Sequence, residues 1–501
     1  MCMDWLMSLG VTSWLLSLTC LIVFYRLLTT DRKPHNLPPT PAVALPFIGH
    51  LYLRQTNPRQ QFLHYSKTVG PVFKLKIGNW TTVVLNTFDV IKEALVKQGD
   101  VFSHRPATEF MLRHFPHMQH GIILSSGPIW RQQRTTSLTI LRRFGMGKNI
   151  LAEKIADEVT IFVKQLASTK GKPTNLKTIT NLSVSNVICS MVFGQGFEFT
   201  NSKFSRLIEL YDHYMEQGSG ETAIVVMPFL RHIPFDPFGF RSFGSLLIEI
   251  RSIIKEFVQN VKDNNNDTNG DNFIAAYIKE MRKAEVLGQQ TYLNEDNLIG
   301  CIDNLIFAGT ETTSTTILWG LLYVLHHPVT QDKIYQEILE QVGTERVPNM
   351  LDKPRLKYLN AFIMETQRLA SLVPFCIPHV CCQDTVLMGF NIPKDSQVII
   401  NLDSVLRDEK IWGDPENSRP ERFLDEQGNL IKREELIPFS MGRRICLGEC
   451  LAKMELFLFL SSMFQRFEFL PVDPDHLPTM KEVLGGTASP APFEIRCVRR
   501  I

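Results

Sequence analysis

The chain has 501 residues, with 53 Lys+Arg against 51 Asp+Glu for a formal charge of +2, and it is 44% hydrophobic and 21% charged. That balance leaves room for a large core in a few domains, and it excludes intrinsic disorder, collagen-like or coiled-coil rods, and nucleic-acid binding through bulk charge. Ten cysteines without a single CxxC pair argue against a disulfide scaffold and a zinc or dithiol site, and point to a reduced, cytosol-facing body.

From Trp5 to Tyr25 no residue is charged. As a helix this run is about 31 Å long, close to the roughly 30 Å of a bilayer core. A cleaved signal peptide and a buried core helix are the competing readings; Asp4 before the run and Arg26 directly after it fit an uncleaved anchor better. Arg26, Arg32 and Lys33 follow the run, which puts the C-terminal bulk in the cytosol. Residues 30–50, with Pro38, Pro39, Pro41 and Pro46, read as a stiff hinge. The expected layout is an anchor over 1–29, the hinge over 30–50, and a catalytic body over 51–501. With the body in the cytosol, the sequons at Asn79, Asn181 and Asn266 stay unglycosylated.

Along the body, strands are expected at Val72–Ile77, 81–85 and 397–401. Amphipathic helices are expected at 151–169, 244–262, 273–284 and 329–342, with the polar run 262–272 as a loop. A long helix over 296–326 ends at His327-Pro328. The result is a mainly helical body with a minor β-sheet region and no internal repeat.

The densest chemical signal lies at 438–459. Cys446 sits in a loop with Gly442 before it, Gly448 after it, Arg443 and Arg444 beside it and an apolar helical run behind. Glycines let backbone N–H groups approach a sulfur, and nearby cations and a helix N-terminus favour thiolate. Cys450, one turn on, reads as a small buried hydrophobe. The pattern FxxGxRxCxG, carried by Phe439, Gly442, Arg444, Cys446 and Gly448, resembles the haem-thiolate loop of the cytochrome P450 family. The resemblance implies that Cys446 is the axial ligand of haem b, with Phe439 packed near the sulfur. Sulfur rather than imidazole there pushes electron density onto iron and favours O–O cleavage.

Other segments carry the same resemblance. Ala308-Gly309-Thr310-Glu311-Thr312-Thr313, in the apolar long helix, is similar to the family's oxygen-activation helix. Read alone, it is a Thr-rich stretch back-bonding to helix carbonyls. The resemblance makes Ala308 and Gly309 a small pair that opens a groove for dioxygen, and Glu311 and Thr312 the acid–alcohol pair that delivers protons. Glu365 and Arg368, one turn apart, resemble the family's ExxR pair, completed by Arg422 in a structural role. Haem propionates need donors, and matching positions supply Arg105, Trp130, Arg134, His379 and Arg444, with Gly448 closing the loop. The substrate pocket implied by resemblance takes Phe110, Phe115, Ile122, Phe307, Ala308, Val373, Ile377 and Leu484, a mostly apolar lining. Arg113 is a candidate partner for a carboxylate, or an ordinary solvated arginine.

The match extends over essentially the whole chain and is similar to the microsomal family-two branch. Asp403 and Leu406 depart from it, standing where a bulky residue and a histidine are usual. The implied activity is NADPH- and O2-dependent hydroxylation or epoxidation of lipophilic molecules (fatty acids, steroids, terpenoids or xenobiotics) at the endoplasmic reticulum membrane. Electrons would come through a flavoprotein reductase, with cytochrome b5 as a second partner. Arg131, Arg142, Arg143, Lys148, Arg443 and Lys453 are candidates for the docking face. A haem-thiolate isomerase or synthase and a non-catalytic haem sensor are the alternatives.

Overall fold

The computed structural model describes residues 10, 13–24, 36–46, 48–55, 57–78, 80–147, 149–217, 227–264 and 272–500. Part of the expected span (5–9, 11–12 and 25), residues 30–35 of the hinge, most of the polar loop (265–271), Asn79, Lys148 and Asn266 lie outside them. Residues 13–24 are helical and leave Trp14, Leu16 and Phe24 exposed. Among the described residues no helix is long and apolar enough to cross a membrane. The sequon at Asn181 is closed by burial: Asn181 is enclosed and its amide donates to Asp212 at 3.0 Å.

The body's longer helices are α1 (Pro58–Thr68), α2 (Gly127–Arg143), α3 (Asn149–Ser168), α4 (Lys177–Val192), α5 (Ser202–Gln217), α6 (Phe240–Asn264), α7 (Phe273–Val286), α8 (Glu295–His326), α9 (Pro328–Gln341), α10 (Lys357–Ala370) and α11 (Glu449–Arg466). The helices expected from periodicity appear within a few residues of their predicted ends. Caps explain several boundaries. The Asn294 side chain accepts from the Asn297 N–H at the start of α8, and Pro328 begins α9 where α8 must stop.

Strands β1 (Val72–Ile77), β2 (Trp80–Leu85), β3 (His379–Val380) and β4 (Gln397–Ile400) form one sheet in the order β1-β2-β4-β3. The β1/β2 hairpin is antiparallel with Val72 opposite Leu85, and β2 runs parallel to β4 with Thr82 opposite Gln397. Near the C-terminus, β5 (Phe467–Pro471) pairs with β8 (Ile495–Arg499), and β6 (Glu482–Leu484) forms a hairpin with β7 (Ala488–Pro490).

The main core gathers α3, α4, α8, α10 and α11. Helix α8 runs through it enclosed from Ile317 to Leu325, so its apolar character is that of a fully surrounded helix rather than a one-sided one. Beside the sheet, Glu365 and Arg368 of α10 are fully buried and joined at 2.7 and 2.9 Å. Arg422 donates to Glu365 at 3.1 Å, and Arg368 donates to the Leu406 carbonyl at 2.8 Å. A buried ion group this well hydrogen-bonded fixes how the segments 402–423 wrap α10. The departure at 406 is therefore harmless to the framework: Leu406 packs in the core, and its backbone does the bonding.

Candidate functional site

The Cys446 loop is shaped by close backbone approach. Gly442 has φ +75°, and a Cβ there would meet the Leu95 carbonyl, so this turn admits glycine alone. The Cys446 N–H then donates to the Phe439 carbonyl at 3.0 Å. Surrounding protein desolvates the Cys446 sulfur and pushes the thiol up from its ordinary value, although the residue remains open on one side, while the Gly448 N–H and Arg134 pull the other way. The flanking arginines take no part in that pull. Arg443 turns out to Asp100 at 2.6 Å, and Arg444 turns inward to three backbone carbonyls. Arg134, not the two neighbours in sequence, is the cation that favours the thiolate. Cys450 is exposed rather than buried, so its reading as a small core residue does not hold.

Around this loop the structure collects cations without anions. Arg444 donates to the carbonyls of Ser103, Ile122 and Ser125 and lies 3.9 Å from the centre of the Trp130 ring. Arg105 donates to the carbonyls of Ile123, Ile377 and Pro378, and Arg134 to that of Ile445. Burial holds all three guanidinium pKa values below their ordinary range, and repulsion from the neighbouring arginines adds to it for Arg105 and Arg444, the latter down to about 8. Among the described residues none of the three meets a carboxylate. His379 bonds to the Phe102 carbonyl through Nδ1 at 2.6 Å, but among the described residues its buried Nε2 has no partner, and neither has the buried Nε1 of Trp130. Burial, with Arg105 beside it, pushes His379 down to about 3. Two buried cations, a third half-buried one and two unused ring nitrogens suit a ligand carrying carboxylates, as haem does through its propionates. Cys446, Arg105, Trp130, Arg134, His379 and Arg444 are thus brought together, although they come from four separate stretches of chain.

On α8, Glu311 and Thr312 diverge. The Glu311 carboxylate accepts from Thr315 at 3.0 Å and from Thr487 and Ser489 of the β6–β7 hairpin at 3.3 and 3.4 Å. Burial, with Asp212 nearby, raises it to about 7. The Thr312 hydroxyl donates to the Ala308 carbonyl at 2.7 Å. Gly309 is small for a reason the sequence did not reveal: a Cβ there would stand 2.6 Å from Ile188 of α4. Its missing side chain serves helix packing against α4.

The expected pocket residues fall into different surroundings. Phe110 and Phe115 form an aromatic cluster with Phe240 and Phe243 of α6. Phe307 lies between Tyr211 and Tyr214 of α5, at 5.4 and 4.9 Å. Ile122 and Ile377 lend their carbonyls to Arg444 and Arg105. Val373 and Leu484 are half-buried. Arg113 pairs with Glu109 on the surface, which removes it as a carboxylate anchor. Sequence reading missed the polar part of this region. Asn304 accepts from the Ile122 and Ile123 N–H groups at 2.8 and 2.9 Å, and Asn297 from Gly121 at 3.1 Å, tying the loop 117–124 to α8. On the candidate docking face, Arg131 and Arg443 both pair with Asp100 and Lys453 pairs with Glu449, all near the surface.

The sequence model described as Cytochrome P450 matches residues 38–496. Cytochrome P450 2U1 of Homo sapiens is 37% identical over 447 residues, covering 89% of this chain and 81% of that protein. Cytochrome P450 2J2 of Homo sapiens is 35% identical over 475 residues, covering 94% and 93%. Cytochrome P450 2G1 of Oryctolagus cuniculus is 35% identical over 471 residues, covering 94% of each. A match of this extent, laid over a cysteine loop ringed by unpaired cations, places the chain in the cytochrome P450 family, alongside its microsomal family-two members.

Proposed function

We propose that this cytochrome P450 monooxygenase hydroxylates or epoxidises lipophilic small molecules, taking its electrons from NADPH through a membrane flavoprotein reductase. Family membership supplies haem b ligated by a cysteine, with dioxygen as co-substrate. When bound, that group activates dioxygen under the electron push of the thiolate. The residues of this chain supply the rest. Cys446 would ligate the iron, Arg105, Trp130, Arg134, His379 and Arg444 would hold the carboxylates, and Phe439 and Gly448 would shape the loop. Glu311, raised to about 7, holds a proton at its carboxyl near neutral pH, and the Thr312 hydroxyl stands one residue on to pass it. The hydrogen bonds of Glu311 to Thr487 and Ser489 imply that it turns from the hairpin to do so. Phe110, Phe115, Ile122, Phe307, Ala308, Val373, Ile377 and Leu484 would line the pocket. The exposed apolar side chains of residues 13–24 support an anchor in the endoplasmic reticulum membrane, with the body in the cytosol.

The observation that carries the reading is the group of arginines beside Cys446, with Arg105 and Arg444 buried, that meet no carboxylate among the described residues. Its test is the spectrum of the reduced, carbon monoxide-bound protein. The wild type should give the red-shifted Soret band of thiolate ligation, and Cys446→His should lose it while still binding haem. A wild-type band at the position of a histidine-ligated haem would overturn the assignment.

A further inference from the structure

Between α5, α6, α8 and the loop 117–124 lies a cavity whose wall is not apolar throughout. Asp303 of α8 is enclosed there and accepts from the Tyr211 hydroxyl at 2.8 Å. His117 and His120 line the same cavity, and His117 Nε2 and His120 Nδ1 are buried without partners among the described residues. Arg251 of α6 also lines it, paired outward to Asp296. Phe307, next to the groove residue Ala308, closes one side, and Ile123, whose carbonyl holds Arg105, closes another.

We propose that this cavity is a polar subsite that binds the uncharged hydroxyl end of an amphipathic substrate, with Asp303 accepting the hydroxyl proton and a histidine N–H donating to its oxygen. The proposal rests on the monooxygenase reading and narrows its substrate class. The charges select the ligand. A carboxylate entering here would meet Asp303, and an ammonium would meet Arg251, so either ion gains one partner and one repulsion. A hydroxyl is both donor and acceptor and uses the carboxylate and an imidazole together. Burial lowers both histidines, with Arg251 beside them, so each stays a neutral ring with an N–H to offer and a lone pair to spare. The group needs such a ligand: two enclosed ring nitrogens are unused, and an unmade bond at a buried polar atom is unfavourable. Asp303 precedes Thr312 by nine residues, about 13.5 Å along a helix. A dodecyl chain has comparable reach.

The test is a Soret spin-state titration of the purified, full-length holoenzyme at neutral pH. The ligands are dodecanol, its methyl ether, dodecanoate and dodecyltrimethylammonium, whose nitrogen cannot ligate iron. Dodecanol should bind about tenfold tighter than each of the other three, the scale of one to two hydrogen bonds. Asp303→Ala should abolish that preference while leaving the affinity for the ether unchanged. Because Asp303 also joins α8 to α5, Asp303→Asn is the second variant: it keeps an acceptor for the Tyr211 hydroxyl, loses the charge, and should narrow the preference several-fold with the carbon monoxide spectrum intact. Equal binding of alcohol and ether by the wild type, tighter binding of either ion, or a preference that survives both variants would overturn the subsite. Such a result with a normal thiolate spectrum and NADPH-driven oxidation of an apolar probe leaves the monooxygenase standing. Loss of the thiolate spectrum in the wild type would bring down both.

Discussion

At the scale of single residues, the clearest chemical debt is the Trp130 indole, whose buried Nε1–H has no acceptor among the described residues while its ring face supports Arg444. A tryptophan in such a place is held for its donor as well as its bulk. Trp130→Phe keeps the ring under the guanidinium and removes the donor. The variant should fold, bind haem and lose it about tenfold faster to apomyoglobin, as expected for one charge-assisted hydrogen bond. An unchanged rate of loss would show that the indole N–H makes no bond to the propionates. Cys446 and Gly442 were legible in the sequence because a turn and a sulfur lie within one loop, although the Leu95 carbonyl that excludes a side chain at Gly442 comes from far along the chain. Cys450 was misread because exposure, which no local pattern states, decides its surroundings. The close approach of Ile188 to Gly309 comes from far along the chain and left no local trace, whereas Arg113 is the solvated arginine that was one of its two readings, paired with Glu109 one turn away.

At the scale of elements, the departure at Asp403 becomes intelligible only when α1 is brought against it. Arg59 of α1, nearly fully buried, meets Asp403 through two nitrogens, and Arg407 meets the same carboxylate at 3.1 Å. Arg59 also reaches Glu482 of β6, so one charge group joins α1, the segment after β4 and the C-terminal hairpin. Burial alone would raise the Asp403 pKa, but the charges of Arg59 and Arg407 outweigh it and the net shift is downward. Asp403→Asn leaves two enclosed cations facing a neutral amide and should destabilise the fold by about 3–5 kcal/mol in urea at pH 7. A carboxylate held below its unfolded pKa stabilises above that value, near 3.9, and loses this contribution as pH falls through the folded value. The deficit of the variant should therefore shrink below pH 4, and a deficit constant with pH would exclude the ion group as its cause. Sequence periodicity found α3, α6 and α8 because their patterns are regular over many residues. It could not show that position 59 answers position 403, since a salt bridge across more than three hundred residues leaves no local trace.

At the scale of the whole molecule, the helices on the two sides of the site are joined by an acid that the proposed chemistry does not use. Glu455 of α11 is fully enclosed and accepts from Thr313 of α8 at 3.1 Å through one oxygen, while its Oε1 has no partner among the described residues. Burial raises it to about 8. A carboxyl so raised is protonated in the folded state at pH 7, whereas the unfolded chain ionises it near 4.3. The sign follows: with the unfolded state holding fewer protons, stability falls as pH rises from about 4 to about 8, and it levels off once both states are ionised. Glu455→Gln keeps the shape and an acceptor for Thr313 but has no proton to lose. It should match the wild type near pH 4 and exceed it by a few kcal/mol at pH 8, with the gap opening between those values. Thermal unfolding of the haem-loaded protein across that range measures it. A gap that is flat with pH would mean that Glu455 is not neutral in the folded protein, and that α8 and α11 are joined through a charge instead of a protonated acid.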